Sequence, residues 1–362
     1  MHIKPGPGLD RYRALLPTTT PLPYLGEGDT PLIHSKRIGP ALGLPRLYFK
    51  NEGRNPTGAF KDRAATLAAA LALETQARGL VTASSGNAAS ALSAYCAAAG
   101  LPCLILLEPG NPPNKLRQAL ATGARVLPVQ GIFRQGPEKL RELITQVAAR
   151  LNYYLGFIWA PVNPLLLEAF KTISYEIAAH FTPDVVVSPV GGGDLFTAQW
   201  RGYLDLKRAA RTNVLPRMVA VQSTAAPPLL DSFRAHAERV TPLAYANSKI
   251  SGINVPFTGD HALRVIYDSH GAAAGVDDAE VFAMQKRMGV EEGLWVEPAA
   301  AAPVAALSGL LARGEIFSAD RVVCLLSGAG FKDSALAEAE AAELNQREPI
   351  LFDLEAIVTA IS

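Results

Sequence analysis

The sequence has few of the features that mark several other classes of protein. Its 362 residues contain only three cysteines, Cys96, Cys103 and Cys324, and no two of them form a CxxC pair. An odd number of cysteines in apolar surroundings predicts buried free thiols in a reducing compartment rather than a disulfide framework. Basic and acidic residues number 34 and 33, so the net charge is +1. This balance gives no indication of a nucleic-acid or anionic-membrane partner.

Long apolar segments and targeting signals are also missing. Residues 88–107 contain no charged side chain, and about 20 apolar residues would suffice for a spanning helix. Gly100 and Pro102 interrupt this stretch, so it predicts a buried helix, a turn and a buried strand. Residues 1–13 contain no apolar core of a signal peptide. We therefore expect a cytoplasmic protein without a membrane partner.

The sequence does contain a regular alternation of short apolar strands and helices. LVTA, PCLILL, DVVVSPV and RVVCLLSG are typical of buried strands, and runs of strong helix formers lie between them. This alternation predicts an α/β protein with parallel sheets covered by helices on both faces. At about 150 residues per domain, the length favours two domains or one large α/β unit.

Ligands of open parallel sheets bind where strands end and helices begin. Four such turns carry unusual residues: NPTGAFKDR at 55–63, ASSGNAA at 83–89, SPVGGGDLF at 188–196 and LLSGAG at 325–330. Lys61 falls in the first turn of a helix, where the helix dipole disfavours a cation. It is either a solvated lysine or an amine of lowered pKa that can form a Schiff base.

The other turns also allow a structural and a functional interpretation. Ser84, Ser85, Gly86 and Asn87 form either an ordinary helix cap or a site for a carboxylate at a helix N-terminus. The glycines at 191–193 predict either a tight turn or backbone amides that wrap a phosphate, although their spacing matches neither GxGxxG nor a Walker loop. Asp194 would repel a phosphate unless it turned away, for example to cap the helix. Ser327 is either a turn serine or a partner of a ring nitrogen.

Taken together and in this order, the motifs resemble one family, the fold-type II pyridoxal-phosphate enzymes. The resemblance extends from GDTPL at 28–32 to SGAGFKD at 327–333, and PTGAFKDR carries it most specifically. It is strongest to the threonine synthase and threonine synthase-like branch. The resemblance implies a two-domain fold similar to the tryptophan synthase β-subunit, with residues 1–46 and 156–362 in the larger, cofactor-binding domain and 47–155 in the smaller one. It also implies pyridoxal 5'-phosphate as cofactor, a small amino-acid substrate and a homodimer.

The resemblance also assigns roles to individual residues. Lys61 would hold the cofactor as a Schiff base and move the α-proton. Asn87 would face the ring hydroxyl, and Ser327 the pyridine nitrogen. Ser84, Ser85 and Gly86 would bind the substrate carboxylate. The cofactor phosphate would be held by the amides of Gly191, Gly192, Gly193, Asp194 and Leu195. A neutral hydroxyl at the ring nitrogen would not enforce its protonation, which suits elimination and replacement at the side chain.

The match weakens where such enzymes hold the phosphate of O-phosphohomoserine. An Asn-Ser pair is expected at Ala160 and Pro161, and an arginine at Leu166, so donors are missing. Three alternatives follow. The first is a threonine synthase that converts O-phosphohomoserine to threonine and phosphate. The second is a serine/threonine ammonia-lyase or a β-substituting synthase acting on an activated serine. The third is a non-catalytic relative, which the intact Lys61 disfavours. Unless a basic residue elsewhere, such as Lys115 or Arg117, binds the phosphate, O-phosphohomoserine should be a poor substrate.

Several other charged or polar residues are expected to be structural. Glu297 precedes Pro298 and predicts the start of a helix. Asp62 and Arg63 are expected in pairs on the helix surface or between domains. The histidines lack the spacing of metal ligands, and no metal site is predicted. The histidines considered are His34, His180, His236, His261 and His270.

Overall fold

The computed structural model describes residues 6–110, 113–334, 337–338 and 341–342, with backbone alone for 113–115. Its strands are β1 Leu32–His34, β2 Leu47–Asn51, β3 Leu80–Ala83, β4 Cys103–Leu107, β5 Arg125–Pro128, β6 Tyr154–Leu155, β7 Val185–Pro189, β8 Arg217–Ser223, β9 Ala272–Val276 and β10 Val322–Leu326. Its helices are α1 Ile38–Ala41, α2 Lys61–Glu74, α3 Asn87–Ala98, α4 Pro113–Ala121, α5 Pro137–Leu151, α6 Lys171–Ala178, α7 Asp194–Arg208, α8 Pro228–Arg234, α9 Asp260–Asp268, α10 Asp278–Glu292, α11 Pro298–Ala305 and α12 Leu307–Ala312. Short 3₁₀ segments are Gly8–Leu15, Glu52–Arg54, Pro164–Phe170 and Gly330–Lys332.

The described strands form two sheets. The larger has the order β1-β2-β10-β7-β8-β9 and the smaller the order β5-β4-β3-β6. The pairing of β1 with β2 is antiparallel, and the other pairs are parallel. This confirms the predicted α/β class with parallel sheets. Strand β2 pairs within the larger sheet, whereas β3 to β6 form the smaller one; the division into domains at 46–47 and 155–156 remains a prediction.

Both faces of the central strands of each sheet are buried, as the continuous apolar strands predict, whereas the edge strand β5 is largely exposed. On β10, Val323 and Leu325 pack in one apolar cluster, while Val322, Cys324 and Leu326 pack in another on the opposite face. The smaller sheet alternates in the same way, since Ile105 and Leu106 of β4 lie in different clusters. Alternate residues of a strand point to opposite faces, so an uninterrupted apolar strand needs helices on both sides.

Contacts within the chain divide it into a compact unit that ends at Lys332 and a second that begins at Asp333. Cys96, Cys103 and Cys324 are buried and free, which confirms the prediction of buried thiols. Within the part of the chain that the structure describes, no helix is long and apolar enough to cross a membrane.

Of the two placements expected for Asp62 and Arg63, the one on the helix surface is wrong, because both residues are fully buried. The Arg63 guanidinium donates to Glu52 at 2.7 Å and to Glu176 at 2.6 Å. Asp62 accepts a 2.7 Å hydrogen bond from the amide of Thr57. A buried arginine requires carboxylate partners, and these are supplied by other elements. The two side chains therefore anchor the first turn of α2, where Lys61 lies.

Candidate active site

The four turns singled out in the sequence follow β2, β3, β7 and β10, at the carboxyl ends of strands. The turn before α2 is joined to the turn after β10 by two backbone hydrogen bonds. The amide of Phe60 donates to the carbonyl of Ser327 at 3.0 Å, and that of Ala329 donates to Gly58 at 2.8 Å. These bonds place Lys61 and Ser327, distant in sequence, beside each other.

Lys61 begins α2, as the sequence predicts, and its side chain is half-buried. The amine lies 4.7 Å from the ring centre of Phe60 and 5.5 Å from that of Phe170. Burial lowers the pKa of Lys61 to about 8, against the opposing influence of the Asp194 and Glu297 carboxylates. Among the described residues the amine has no hydrogen-bond or ion-pair partner. Near neutral pH a larger fraction of Lys61 is therefore in the neutral, nucleophilic form than of an ordinary lysine.

A second lysine near this site differs in one respect. Burial also lowers the pKa of Lys332 to about 8, with Glu297 and Asp62 acting in the opposite direction. Its amine, however, donates to the Thr57 carbonyl at 3.1 Å and to the side chain of Gln118. Two amines of similar basicity are thus distinguished by their partners, and Lys61 is the available one.

The glycine turn after β7 presents a row of unpaired amides. Within the described residues, the amides of residues 191–195 donate no hydrogen bond to the protein. Gly193 has a φ of 98°, and a Cβ there would lie 2.7 Å from the Cβ of Ala262. A Cβ on Gly192 would approach no atom closer than 3.8 Å. Consecutive free amides at a helix N-terminus form an anion site of the kind that binds phosphate.

Asp194 does not cap α7 with its side chain, so that expectation is wrong. Its carboxylate instead accepts a 3.1 Å hydrogen bond from the amide of Ala160, and it lies 3.4 Å from Nε2 of His261. The amide of Ala160, rather than an amide of α7, is therefore the hydrogen-bond donor to this carboxylate. The carboxylate is therefore engaged by its neighbours rather than by the amides of its own helix.

Two buried side-chain nitrogens beside this turn make no hydrogen bond among the described residues. They are Nε1 of Trp159 and Nε2 of His261, of which the second has an ion-pair contact with the Asp194 carboxylate at 3.4 Å. Trp159 Cδ1 lies 3.8 Å, and His261 Nε2 3.4 Å, from the positions that a Cβ would take on Gly192 and Gly193. Buried polar groups normally have partners. Together with the free amides, these nitrogens fit an anion at the turn, such as the phosphate of pyridoxal 5'-phosphate. The sequence treats His261 as a scattered histidine, and only the fold brings it here.

The turn after β3 also presents backbone amides without a hydrogen-bond acceptor in the described residues, although fewer of them. Oγ of Ser84 accepts a 3.2 Å hydrogen bond from the amide of Gly86. In the described part of the chain, the amides of Ser85, Asn87 and Ala88 donate to no protein group. The residues are half-buried and lie at the N-terminus of α3. They can accept a carboxylate, as the sequence predicts, although that role remains a prediction.

Glu297 joins two residues that the sequence assigned to opposite parts of a ring-binding site. Its carboxylate accepts a 2.9 Å hydrogen bond from Nδ2 of Asn87 and a 2.8 Å hydrogen bond from Oγ of Ser327. A Cβ on Gly328 would lie 2.7 Å from the Glu297 carboxyl carbon. Glu297 does precede α11, as predicted. The sequence did not predict that Glu297 belongs to the site. A glutamate followed by proline is typical of a helix start, and this explanation of the residue assigns no role to its carboxylate.

The segment expected to hold a substrate phosphate supplies no side-chain donor at the three positions in question. Leu166 is fully buried within an apolar cluster, Ala160 is half-buried and Pro161 is exposed. Of the basic residues suggested to replace these donors, Arg117 is exposed, and the side chain of Lys115 lies outside the described residues. In the described residues no group of acidic, cysteine or histidine side chains has the arrangement of a metal site.

Comparisons with known proteins agree with this arrangement. Residues 24–328 match the family described as pyridoxal-phosphate dependent enzyme. The chain is 35% identical over 356 residues to threonine synthase of Methanocaldococcus jannaschii, covering 96% of this chain and 85% of that protein. It is 34% identical over 330 residues to threonine synthase of Halalkalibacterium halodurans, covering 90% and 89%.

Solved structures are also similar. A threonine deaminase from T.th. matches with a TM-score of 0.68 and 27% identity, covering 83% of this chain and 92% of that one. Maize serine racemase matches with a TM-score of 0.71 and 23% identity, covering 87% and 92%. At that identity the likeness to serine racemase concerns the fold alone.

Proposed function

The chain belongs to the family of pyridoxal-phosphate-dependent enzymes, and we propose that it is a lyase of the threonine synthase type. In this proposal it eliminates phosphate from O-phosphohomoserine and adds water to give threonine. The observation that carries the proposal is the unpartnered amine of Lys61, of lowered pKa, in a chain similar to threonine synthases over nearly its whole length. An amine with these properties is suited to covalent catalysis rather than to structural pairing.

Pyridoxal 5'-phosphate, when bound, supplies the electron sink that stabilises negative charge at the substrate Cα. The amides of residues 191–195 are proposed to bind its phosphate. Lys61 would attach to it covalently and, once displaced by the substrate amine, would accept the α-proton at Nζ. The rings of Phe60 and Phe170, near this amine, keep its surroundings poor in water, and burial favours its neutral form.

The substrate is proposed to be a small amino acid held by its carboxylate at the turn after β3. The unpaired amides of Ser85, Asn87 and Ala88 supply donors for this purpose. A carboxylate at a helix N-terminus is stabilised by these amides and by the helix dipole. Binding there would place the substrate at the same end of the strands as Lys61.

A substrate phosphate would need a cation, and Lys332 is a candidate among the described residues. The charge of Glu297 influences its pKa, so it lies within electrostatic reach of the site. Its amine already contacts Thr57 and Gln118, both of which use carbonyl oxygens that a phosphate could replace as acceptors. We propose that Lys332 supplies part of the binding that the side chains at Ala160 and Leu166 do not.

A second candidate function is elimination or replacement at Cβ of serine, threonine or an activated serine. It is favoured by the burial of Leu166 and by the absence of side-chain donors at Ala160 and Pro161. A phosphate placed against apolar side chains would lose its hydration without compensation. A substrate without a phosphate would avoid this cost. For either function we propose a homodimer in the cytoplasm.

The test is a substrate panel with the purified, cofactor-loaded protein. O-phosphohomoserine, serine, threonine and O-acylated serines are supplied separately, and phosphate, threonine, keto acid and ammonia are measured. The proposal expects threonine and phosphate from O-phosphohomoserine, with Lys332→Gln raising KM for this substrate more than for serine. Keto acid and ammonia from serine or threonine alone would establish the second candidate. No turnover of any of these substrates by the loaded protein would refute both.

A further inference from the structure

The glycine turn after β7 is held from one side by the segment that precedes α9. Oγ1 of Thr258 lies 2.7 Å from the carbonyl oxygen of Gly191. The amide of Gly259 donates to the carbonyl of Gly192 at 3.0 Å. A peptide unit is planar and trans, so its carbonyl and the N–H of the next residue point in opposite directions. The amides of Gly192 and Gly193 therefore point away from residues 258–259.

The hydrogen bonds that reach Thr258 have directions fixed by groups without a titratable proton. Oε1 of Gln222 accepts from the amides of Leu229 and Leu230 at 2.9 and 3.1 Å. Its Nε2 is therefore the atom that lies 3.1 Å from Oγ1 of Thr258. An amide NH₂ group can only donate and a carbonyl can only accept, so the Thr258 hydroxyl accepts from Gln222 and donates to Gly191. Both side chains are buried.

This chain of hydrogen bonds ends at the peptide unit between Gly191 and Gly192. The N–H of that unit belongs to Gly192 and has no protein acceptor among the described residues. Successive hydrogen bonds polarise one another, so a peptide whose carbonyl accepts a bond has a more strongly donating N–H. Taking the proposed binding of pyridoxal 5'-phosphate at this turn as the basis, we infer that Thr258 is a positioning residue for the cofactor phosphate. Its hydroxyl directs the Gly192 amide toward the phosphate and strengthens that amide as a donor.

The neighbouring peptide unit provides an internal comparison. The carbonyl of Gly192 is held by the backbone amide of Gly259, which a side-chain substitution leaves in place. The carbonyl of Gly191, in contrast, is held by a side chain. Thr258→Val replaces the hydroxyl with a methyl group of similar shape and removes that donor. The amide of Gly192 should then lose its fixed direction, whereas the amide of Gly193 should keep its own.

The experiment observes these two amides by nuclear magnetic resonance. Two consecutive glycines occur in the sequence only within residues 191–193. Glycine labelled with ¹³C at the carbonyl carbon and with ¹⁵N therefore gives signals from Gly192 and Gly193 alone in a spectrum that correlates each amide with the preceding carbonyl. Gly191→Ala removes the Gly192 signal and so assigns both, and its Cβ would approach no atom closer than 3.3 Å. Spectra are recorded for the full-length protein with pyridoxal 5'-phosphate and with pyridoxal, which lacks the phosphate.

In the wild type we expect both amide protons to shift downfield with pyridoxal 5'-phosphate far more than with pyridoxal. Thr258→Val should lose this response at Gly192 and keep it at Gly193. Its affinity for pyridoxal 5'-phosphate should fall about tenfold or more, as for a lost hydrogen bond to a charged group, while its affinity for pyridoxal stays nearly the same. Thr258→Ser keeps the hydroxyl and should behave as the wild type. The control is Thr75→Val, which removes a hydroxyl that donates to the Leu71 carbonyl at the end of α2 and should change neither property.

Three results would overturn the inference. The first is a Gly192 amide that responds equally to both compounds in the wild type, a result that needs no variant to fold. The second is an unchanged Gly192 response in Thr258→Val with the cofactor bound. The third is an equal loss of affinity for both compounds, which would indicate a general structural role. Thr258→Ala removes the same hydroxyl and takes the place of the valine variant if that variant does not fold.

Each of these results would leave the lyase proposal standing, because that proposal is tested by products. Absence of pyridoxal 5'-phosphate binding by the wild type would instead contradict the proposed function on which the inference rests.

Discussion

The hydroxyl of Ser327 lies 2.8 Å from the carboxylate of Glu297, a residue 30 positions earlier in the chain. This hydrogen bond joins the turn after β10 to the start of α11. Antiparallel bridges between Ala59 and Gly328 and between Val296 and Ala329 support it on either side. The turn that holds Ser327 is therefore fixed both to the segment before Lys61 and to the segment before α11.

Gly328 allows this arrangement because it has no side chain. In Gly328→Ala the Cβ would lie 2.7 Å from the carboxyl carbon of Glu297, too close for the carboxylate to stay in place. We expect this variant to bind pyridoxal 5'-phosphate at least about tenfold more weakly, the effect of losing about 1.4 kcal/mol. Cofactor titration followed by absorbance checks this. Unchanged affinity in a folded variant would show that the carboxylate position does not matter for binding.

Substitutions in the glycine turn can distinguish an effect on folding from an effect on anion binding. Gly192→Ala meets no atom closer than 3.8 Å, so its folding should be little affected, while the new methyl group approaches an anion held by the amides. Gly193→Ala is the matched comparison, because its positive φ and its 2.7 Å contact with Ala262 should destabilise the fold itself. We expect Gly192→Val to weaken cofactor retention more than Gly192→Ala. Dialysis followed by thermal unfolding measures both properties, and full retention by Gly192→Val would contradict the phosphate assignment.

Cofactor uptake should depend on pH through the amine of Lys61. A neutral amine is required to attack an aldehyde, and the pKa of about 8 means that deprotonation is largely complete above that pH. We expect the rate of uptake by the cofactor-free protein to rise by about tenfold per pH unit below pH 8 and to level off above it. Stopped-flow absorbance gives these rates. A rate that continues to rise to pH 10 would indicate an ordinary lysine.

The substrate preference should respond to donors restored before α6. Ala160→Asn with Pro161→Ser places polar side chains at half-buried and exposed positions, whereas adding Leu166→Arg would insert a charge into an apolar cluster and destabilise the protein. A regained charge-assisted hydrogen bond contributes roughly 1.5–3 kcal/mol, so we expect the double variant to raise kcat/KM for O-phosphohomoserine about tenfold or more. The control is kcat/KM for serine, which should not rise. Equal changes for both substrates would refute a phosphate contact.

Local patterns predicted the strands and turns that carry the site. Strands such as β3 and β7 were recognisable as apolar runs, and Lys61 and the glycines at 191–193 stand where strand-to-helix turns were expected. Strand β9 was missed because its sequence, AAAGV, has little of the β-branched character that marks a strand. Strand β1 was also not predicted, because its three residues are too few to show a strand pattern.

Contacts between distant segments were beyond prediction from the sequence. Asn87 and Glu297 are separated by 210 positions, and the local sequence around either residue does not predict that the two side chains are in contact. His261 reaches Asp194 because α9 packs beside α7. Asp62 and Arg63 look like surface charges at the start of a helix, and only their buried partners show that they are not. These relationships arise from the packing of elements, which periodicity and turn chemistry do not determine.

The central claim is that Lys61 carries the cofactor, and its most direct test is borohydride reduction of the loaded protein followed by peptide mapping. Lys332 is a stringent internal control, since the pKa of each lysine is about 8 and Lys332 is hydrogen-bonded. We expect the pyridoxyl label on the peptide that contains Lys61, and neither label nor turnover in a folded Lys61→Ala variant. Lys332→Ala should retain the label. Label on Lys332 or on any other lysine would contradict the account.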